Sequence, residues 1–163
     1  MNFTKAVYRK NKLIKDRRKD VYIDQITLKE AAICSKCNAV YSSGRWTWKP
    51  NELVTTKTTC PACRRINDNY PAGSIEIKGK FFYQHSTDIL NLVYNVEKLE
   101  KSERPLERII AVTNEKQKTV VTTTGIHIAR RIGEALSRSY QGNYDFQYAD
   151  CEKSIRVYWE RDE

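Results

Sequence analysis

The second half of the chain switches between two hydrophobic patterns, one typical of strands and one typical of helices. Residues 74–83 alternate apolar and polar side chains and predict a strand. Apolar residues then recur at spacings of three and four, which predicts a helix that Ser86 or Thr87 caps and Pro105 ends. The apolar positions of this helix are Ile89, Leu92, Val93, Val96 and Leu99.

The remaining C-terminal segments continue this alternation. Two β-branched runs, 109–113 and 119–124, predict a hairpin, and an amphipathic helix is predicted between Gly125 and Gly142. The apolar face of that helix consists of Ile128, Ile132, Ala135, Leu136 and Tyr140. Two last strands, joined by a turn at 149–153, are marked by Tyr144, Phe146 and Tyr148 and by Ile155, Val157 and Trp159.

The predicted order of elements is β-α-β-β-α-β-β. This order indicates the α+β class, and residues 74–163 are predicted to form a ferredoxin-like βαββαβ domain with an extra C-terminal strand. Two helices would then pack on one face of an antiparallel sheet. The last strand pair either closes the sheet or pairs with a second copy of the chain.

A candidate anion site follows from this predicted topology. We expect the first and third strands to be parallel neighbours, which places the N-termini of both helices at one edge of the sheet. Free N–H groups at helix N-termini attract anions, and the expected ligand is RNA phosphate. The residues assigned to this edge are His85, Ser86, Thr87, Thr122, Thr123, Thr124, His127, Arg130 and Arg131. Alternatively, Ser86 and Thr124 are ordinary caps and both histidines are half-buried surface residues.

The first half of the chain carries two Cys-x-x-Cys pairs, with 22 residues between them. This spacing is typical of four-cysteine zinc ribbons, in which four thiolates fill a tetrahedral shell and leave no position open for chemistry. We therefore predict one structural Zn²⁺ in a module spanning residues 23–73. Its predicted ligands are Cys34, Cys37, Cys60 and Cys63. The alternative is a set of buried or redox cysteines, and Cys151 is predicted to be a small apolar residue without a partner.

A hairpin is predicted between the two cysteine pairs, since residues 39–49 alternate apolar and polar side chains around a Ser-Gly turn. Arginines in and beside this module can bind phosphate while its tryptophans stack on unpaired bases. The residues assigned to these contacts are Arg45, Trp46, Trp48, Arg64 and Arg65. Alternatively, either tryptophan covers the zinc site, because a module of this size has few other apolar side chains.

The chain is basic, with a net charge of +9 from 29 Lys and Arg against 20 Asp and Glu. Much of the excess lies in residues 1–22, which contain too few apolar residues to fold alone and are predicted to form a flexible tail. A polycation of this kind binds RNA by releasing its counterions. The tail residues assigned to RNA are Arg9, Lys10, Lys12, Lys15, Arg17, Arg18 and Lys19. The alternatives are a solvated tail and an arm that binds anionic lipid.

Signals for export or membrane insertion are not visible in the sequence, and thiolates kept for a metal imply a reducing compartment. We therefore expect a cytoplasmic protein with no membrane partner. Because the sequence shows no nucleophile elbow, Walker A loop or open metal site, we also expect a non-catalytic protein without a small-molecule substrate. The alternative enzyme is a ribonuclease that uses His85 and His127 as general acid and base.

Residues 34–73, 105–109 and 123–136 resemble an uncharacterised family of small bacterial four-cysteine zinc-ribbon proteins, some of which are described as ATPases without a visible ATP motif. More remotely, the paired Cys-x-x-Cys motifs ahead of an α/β domain are similar to the N-terminal part of the large-subunit nuclear-export adaptor of eukaryotes and its archaeal counterparts. The second resemblance implies ribosome binding through the zinc module. We expect an rRNA-binding, ribosome-associated factor for assembly, quality control or hibernation, with a zinc-ribbon adaptor for an acidic protein as the alternative.

Overall fold

The computed structural model of the protein describes residues 20–23, 30–149 and 153–163, together with the backbone of residues 8–10. The strands are Tyr8–Lys10 (β1), Ala32–Cys34 (β2), Val40–Ser42 (β3), Arg45–Thr47 (β4), Lys57–Thr58 (β5), Gly73–Lys78 (β6), Ile109–Asn114 (β7), Thr119–Thr123 (β8), Asn143–Ala149 (β9) and Ile155–Glu160 (β10). The helices are Pro61–Asp68 (α1), Lys80–Gln84 (α2), Ser86–Glu103 (α3) and Ile126–Tyr140 (α4). The predictions for Lys12, Lys15, Arg17, Arg18, Lys19 and Cys151 concern residues outside the described ranges.

A six-stranded sheet with the order β1-β9-β10-β6-β8-β7 forms the larger part of the fold. All neighbouring strands are antiparallel except β10 and β6, which are parallel. From β6 to β10 the strands and main helices follow the predicted alternation, so the mixed α+β class is confirmed. The last strand, β10, lies inside the sheet between β9 and β6 of the same chain.

The predicted parallel pairing of the first and third strands is wrong. β6 and β8 are antiparallel, and Gly73 at the start of β6 lies opposite Thr123 at the end of β8. The reason is the path of the chain: α3 returns it so that β7 runs in the same direction as β6, and the β7–β8 hairpin then reverses it. His85 and His127 therefore follow opposite ends of the sheet, and the predicted shared anion edge does not form.

The hydrophobic core lies between one face of this sheet and the helices α3 and α4, which pack against each other. Alternate residues of β6 and β10 point into it, and the largest buried side chains include Ile75, Ile77, Phe82, Ile89, Ile132, Leu136 and Trp159. Leu99 was predicted to share this face, but it is 70% exposed, because the core packing of α3 ends at Val96.

No helix in the described ranges is both long enough and apolar enough to cross a membrane.

The strand β6 is shorter than the strand predicted at 74–83. β6 ends at Lys78 because Gly79 has a φ of +107°, and α2 begins directly after it. A Cβ at Gly79 would meet the backbone carbonyl of Arg161, so this turn requires glycine. The aromatic residues read as part of the strand belong to α2, where Phe82 is buried and Tyr83 is half exposed.

A smaller sheet has the order β4-β3-β2-β5; the first cysteine pair begins at the end of β2, and the second follows β5 at the start of α1. The predicted hairpin is present as β3 and β4, which are antiparallel. Ser43 and Gly44 between them have φ angles of 52° and 82°, and two positive φ angles are the mark of a type I′ hairpin turn. The hairpin prediction is confirmed.

Two parts of the predicted tail at 1–22 contact the folded chain. The backbone of β1 pairs with β9 at the edge of the larger sheet. Asp20 accepts a hydrogen bond from the Arg65 guanidinium at 3.0 Å, and the Tyr22 hydroxyl donates one to Asp68 at 2.9 Å. Residues at both positions, within the segment predicted as a tail, therefore contact the larger sheet or α1.

Candidate metal centre and basic surfaces

The first cysteine pair lies in a tight turn at the end of β2. The turn closes with two backbone hydrogen bonds, from Asn38 N–H to the Cys34 carbonyl at 2.9 Å and from Cys34 N–H to the Ala39 carbonyl at 2.8 Å. Asn38 has a φ of 65°, a conformation that asparagine tolerates better than most residues. This local geometry holds the Cys34 and Cys37 side chains on one side of the turn.

The second cysteine pair lies at the start of α1. Cys60 is the N-cap, Pro61 occupies the first turn, and the Cys60 sulfur accepts a hydrogen bond from Cys63 N–H at 3.4 Å. Cys60 N–H in turn donates to the Cys34 sulfur at 3.3 Å and joins the two pairs. The helix N-terminus attracts negative charge to both sulfurs, whereas burial acts in the opposite direction and raises the pKa of the Cys63 thiol.

The four cysteine sulfurs lie within 4.8 Å of one another, and none forms a disulfide. The Cys37 and Cys60 sulfurs are 3.8 Å apart. Four sulfurs in a tetrahedron around one ion at about 2.3 Å would be separated from each other by about 3.8 Å. The four predicted ligands therefore form one cluster with the dimensions of a metal site.

Burial and mutual hydrogen bonding control the protonation of these thiols. The hydrogen bond between the Cys37 and Cys60 sulfurs raises the pKa of Cys60, and burial raises it further. The same hydrogen bond lowers the pKa of the Cys37 thiol to about 4. A metal ion bound by all four sulfurs would have to displace the remaining thiol protons, as thiolates are the ligand form.

Arg108 contacts this cluster and was not predicted from the sequence. Its Nη2 lies 3.3 Å from the Cys60 sulfur and 3.2 Å from the Cys63 sulfur, and its side chain is 7% exposed. Arg108 lies between α3 and β7, more than 40 residues from either cysteine, so no local pattern could have identified it. The segment around it contributes Leu106, which packs against the same cluster.

Both tryptophans of the module also pack against the cysteine cluster. The Trp48 indole N–H donates to the Lys101 carbonyl in α3, which ties the module to the larger domain. Trp46 is half-buried, with its ring 5.5 Å from that of Tyr41. Both tryptophans therefore cover the cysteine cluster, as in the alternative interpretation of the sequence. Trp46 also lines open clefts together with Arg45.

The predicted arginine contacts of the module differ in exposure. Arg45 is exposed on β4, and Arg64 is half-buried with its Nε donating to the Thr59 carbonyl at 3.1 Å. Arg65 is 3% exposed, pairs with Asp20, and lies with its Cζ 4.4 Å from the centre of the Tyr22 ring. Protein groups enclose the Arg65 guanidinium, so it does not lie on the surface where the predicted contact with nucleic acid would form.

The N-terminus of α4 is already bound by a carboxylate of the protein. Glu107 accepts a hydrogen bond from Ile128 N–H at 3.0 Å, and Gly125 admits this carboxylate because a Cβ there would collide with it. Thr124 does not cap the helix; its hydroxyl donates to the Leu106 carbonyl at 2.6 Å. Ser86 does not cap α3 through its side chain either, since α2 runs into α3 through His85.

The basic residues at the start of α4 face acidic side chains of the same protein. The His127 Nε2 lies 3.0 Å from a Glu100 oxygen and also contacts Arg104. Arg131 lies 3.4 Å from Glu100. Arg130 lies 3.5 Å from Glu134, donates to the Tyr148 hydroxyl at 3.2 Å and stacks near Phe146. All three side chains are partly exposed and remain reachable from solvent, but each has an acidic neighbour.

Comparison with known proteins yields no relative. No family model, no curated protein and no solved structure matches this chain. The geometry of the structure defines an α+β protein with two sheets and a cluster of four cysteines that could hold a metal ion.

Proposed function

We propose that this protein is a non-catalytic RNA-binding protein in which a structural zinc ion fixes a hairpin that presents Arg45 and Trp46 to unpaired bases. The observation that carries the proposal is the position of Trp46, which packs on the cysteine cluster and also lines open clefts beside Arg45. An indole anchored in this way offers a rigid stacking surface, and the adjacent cation can bind the phosphate.

Zinc is the proposed metal because of the donor set. Four sulfurs in a tetrahedral arrangement suit zinc or iron, and zinc is proposed because a four-cysteine zinc site is typically structural and has no redox chemistry. Four protein ligands complete the shell, so the ion would be structural rather than catalytic. Elemental analysis of protein purified without chelator should give one zinc per chain, and a metal-free protein with ordered cysteines would contradict this part of the proposal.

Two clefts beside Trp46 support the proposed RNA contact. One has a volume of about 420 Å³ and the other about 250 Å³, and Arg45, Trp46 and Glu103 line both. Lys49 lies in the first cleft and Arg104 in the second. A stacking surface flanked by cations is the arrangement that binds single-stranded nucleic acid.

The fold is proposed to combine a zinc ribbon with a ferredoxin-like domain. Without β10, the strand order β9-β6-β8-β7 with α3 and α4 on one face is that of a split βαβ plan. In this proposal, β10 is an additional strand between β9 and β6.

Ribosomal RNA in the cytoplasm is the proposed partner. The protein would act as a factor for ribosome assembly, quality control or hibernation. The net charge of +9 supports a polyanionic partner, and the remote resemblance of the cysteine pairs favours the ribosome. Co-sedimentation of the protein with ribosomal fractions in a sucrose gradient is expected, with release from these fractions at high salt.

The experiment that tests RNA binding compares two double variants by fluorescence anisotropy with a labelled single-stranded RNA. Replacing Arg45 and Lys49 by alanine is expected to weaken binding about tenfold, because two charge-assisted hydrogen bonds to phosphate are removed. The matched control replaces Lys98 on α3 and Lys116 in the β7–β8 turn, which are also exposed cations but line neither cleft. Equal affinities of the two double variants would exclude the Trp46 clefts as the binding surface.

A further inference from the structure

The Arg108 side chain crosses from the larger domain into the cysteine cluster. It is buried, and no carboxylate of the described residues lies within ion-pair distance of it. Its Nη2 instead donates to the sulfurs of Cys60 and Cys63. These two sulfurs therefore take the place of an acidic partner for a cation that has been removed from water.

Charge explains why a cation is favourable at this position. Four thiolates around a divalent ion carry a net charge of −2, and a buried net charge is costly unless it is compensated. A guanidinium beside two of the sulfurs supplies one positive charge and two charge-assisted N–H···S hydrogen bonds. The second cysteine pair is thus held by a group from outside its own module.

The backbone around Arg108 continues this connection to α4. Arg108 N–H donates to the Thr124 hydroxyl at 2.9 Å, and Thr124 N–H donates back to the Arg108 carbonyl at 2.9 Å. The adjacent Glu107 accepts the N–H of Ile128 in the first turn of α4. Leu106 packs on the cysteine cluster. Residues 106–108 therefore contact the sulfurs at one side and the start of α4 at the other.

We propose that Arg108 is a positioning residue of the metal centre: it stabilises the metal-bound form of Cys60 and Cys63 and couples metal occupancy to the N-terminus of α4. This inference rests on the metal part of the proposed function and adds to it a connection between the two modules. It predicts that the metal ion stabilises a part of the larger domain that contains none of its ligands.

The first test measures metal release into a chromogenic chelator from the wild type, Arg108→Met and Arg108→Lys. Methionine fills a similar volume without charge. Removing a partner of a metal ligand typically weakens metal affinity by about 10- to 100-fold, so the variant is expected to release the metal correspondingly faster. Lysine restores the charge but not the planar fork, so an intermediate rate is expected. The control is Arg161→Met, which removes a half-buried arginine that contacts Phe81 and Tyr140 instead of the cysteines.

A spectroscopic readout separates positioning from a general loss of stability. In cobalt-substituted protein, the sulfur-to-metal charge-transfer band should shift in Arg108→Met and stay unchanged in Arg161→Met, because only the first variant alters hydrogen bonds to the sulfurs. An Arg108→Met variant with the wild-type release rate and an unchanged band would overturn the proposal.

The second test uses the unmodified chain, so it does not depend on the folding of a variant. Hydrogen exchange of the Ile128 amide and its neighbours in α4 is compared between metal-loaded and chelator-treated protein. Faster exchange in the treated protein is expected, whereas equal exchange would overturn the coupling to α4. Metal content is measured first. A wild type without metal refutes the zinc proposal itself. A metal-loaded wild type whose release rate and charge-transfer band are unchanged in Arg108→Met refutes only this inference.

Discussion

The buried carboxylate of Glu107 has a structural role at the start of α4. Its carboxylate binds the first turn of α4 through Ile128 N–H, and Gly125 leaves the space that this carboxylate occupies. Burial raises the pKa of the Glu107 carboxyl above the value of 4.5 for a free side chain. The folded state therefore binds a proton more tightly than the unfolded state at this residue, and the free energy of unfolding falls as pH rises from 4.5 through the higher folded pKa.

The substitution Glu107→Gln is expected to remove this pH dependence. Glutamine still offers an oxygen to Ile128 N–H but does not ionise, so the variant should gain stability relative to the wild type as pH increases above 4.5. Thermal unfolding of both proteins is measured in parallel from pH 5 to 8. Effects of pH on the metal site act on both proteins and cancel in the difference between their stabilities. A stability difference that is constant over this range would show that Glu107 ionises as it does in the unfolded chain.

Other charged residues show the same dependence on environment. Arg65 is of the same type as Arg45 and lies in the same module, yet Arg65 is buried against Asp20 whereas Arg45 is exposed. Sequence reasoning assigned both to nucleic acid because it could identify the charge but not the partner. The partner of Arg65 lies 45 residues away, beyond the reach of any local pattern.

At the scale of secondary structure, the end of β6 is set by one glycine. Gly79 combines a φ of +107° with close approach to the Arg161 carbonyl. This close approach lets Phe81 N–H bond to the Arg161 carbonyl and places α2 at the end of the sheet. The apolar pattern of residues 74–83 continues past this point, which is why the pattern alone predicted a strand that is too long.

Gly79→Ala is expected to destabilise the protein by about 2 to 4 kcal/mol, because a Cβ adds both backbone strain and a collision with backbone. Gly44→Ala is the matched control: its φ is +82°, but nothing lies within 4 Å of the added Cβ, so only the strain of about 1 kcal/mol is expected. Chemical denaturation of both variants measures the difference. Equal destabilisation would mean that the backbone near Arg161 relaxes around the new methyl group at no cost.

At the scale of the whole molecule, the cysteine module and the larger domain form a continuous structure. Arg108 contacts the sulfurs, Trp48 donates to the Lys101 carbonyl of α3, and Asp20 pairs with Arg65 of α1. The basic N-terminal segment is attached to the same structure through β1. A test of its role in RNA binding must therefore leave β1 and Asp20 in place.

The corresponding prediction concerns five cations of the N-terminal segment: Lys12, Lys15, Arg17, Arg18 and Lys19. If they neutralise RNA phosphates, replacing all five by glutamine should reduce the slope of log affinity against log salt by about 0.7 for each phosphate that is no longer neutralised. Titrations of single-stranded RNA at several salt concentrations measure the slope. An unchanged slope would show that these residues remain solvated, and the melting temperature should stay at the wild-type value as a control for folding.

The sequence alone determined the properties that depend on neighbours along the chain. The two Cys-x-x-Cys spacings identified all four members of the cysteine cluster, and hydrophobic periodicity located the β3–β4 hairpin, α3 and α4. The tertiary structure decided strand direction and side-chain partners: β8 is antiparallel to β6, His127 lies against Glu100, and Arg108 reaches the sulfurs. The physical reason is that periodicity reports which face of an element is buried, while the group that meets that face is set by packing between distant segments.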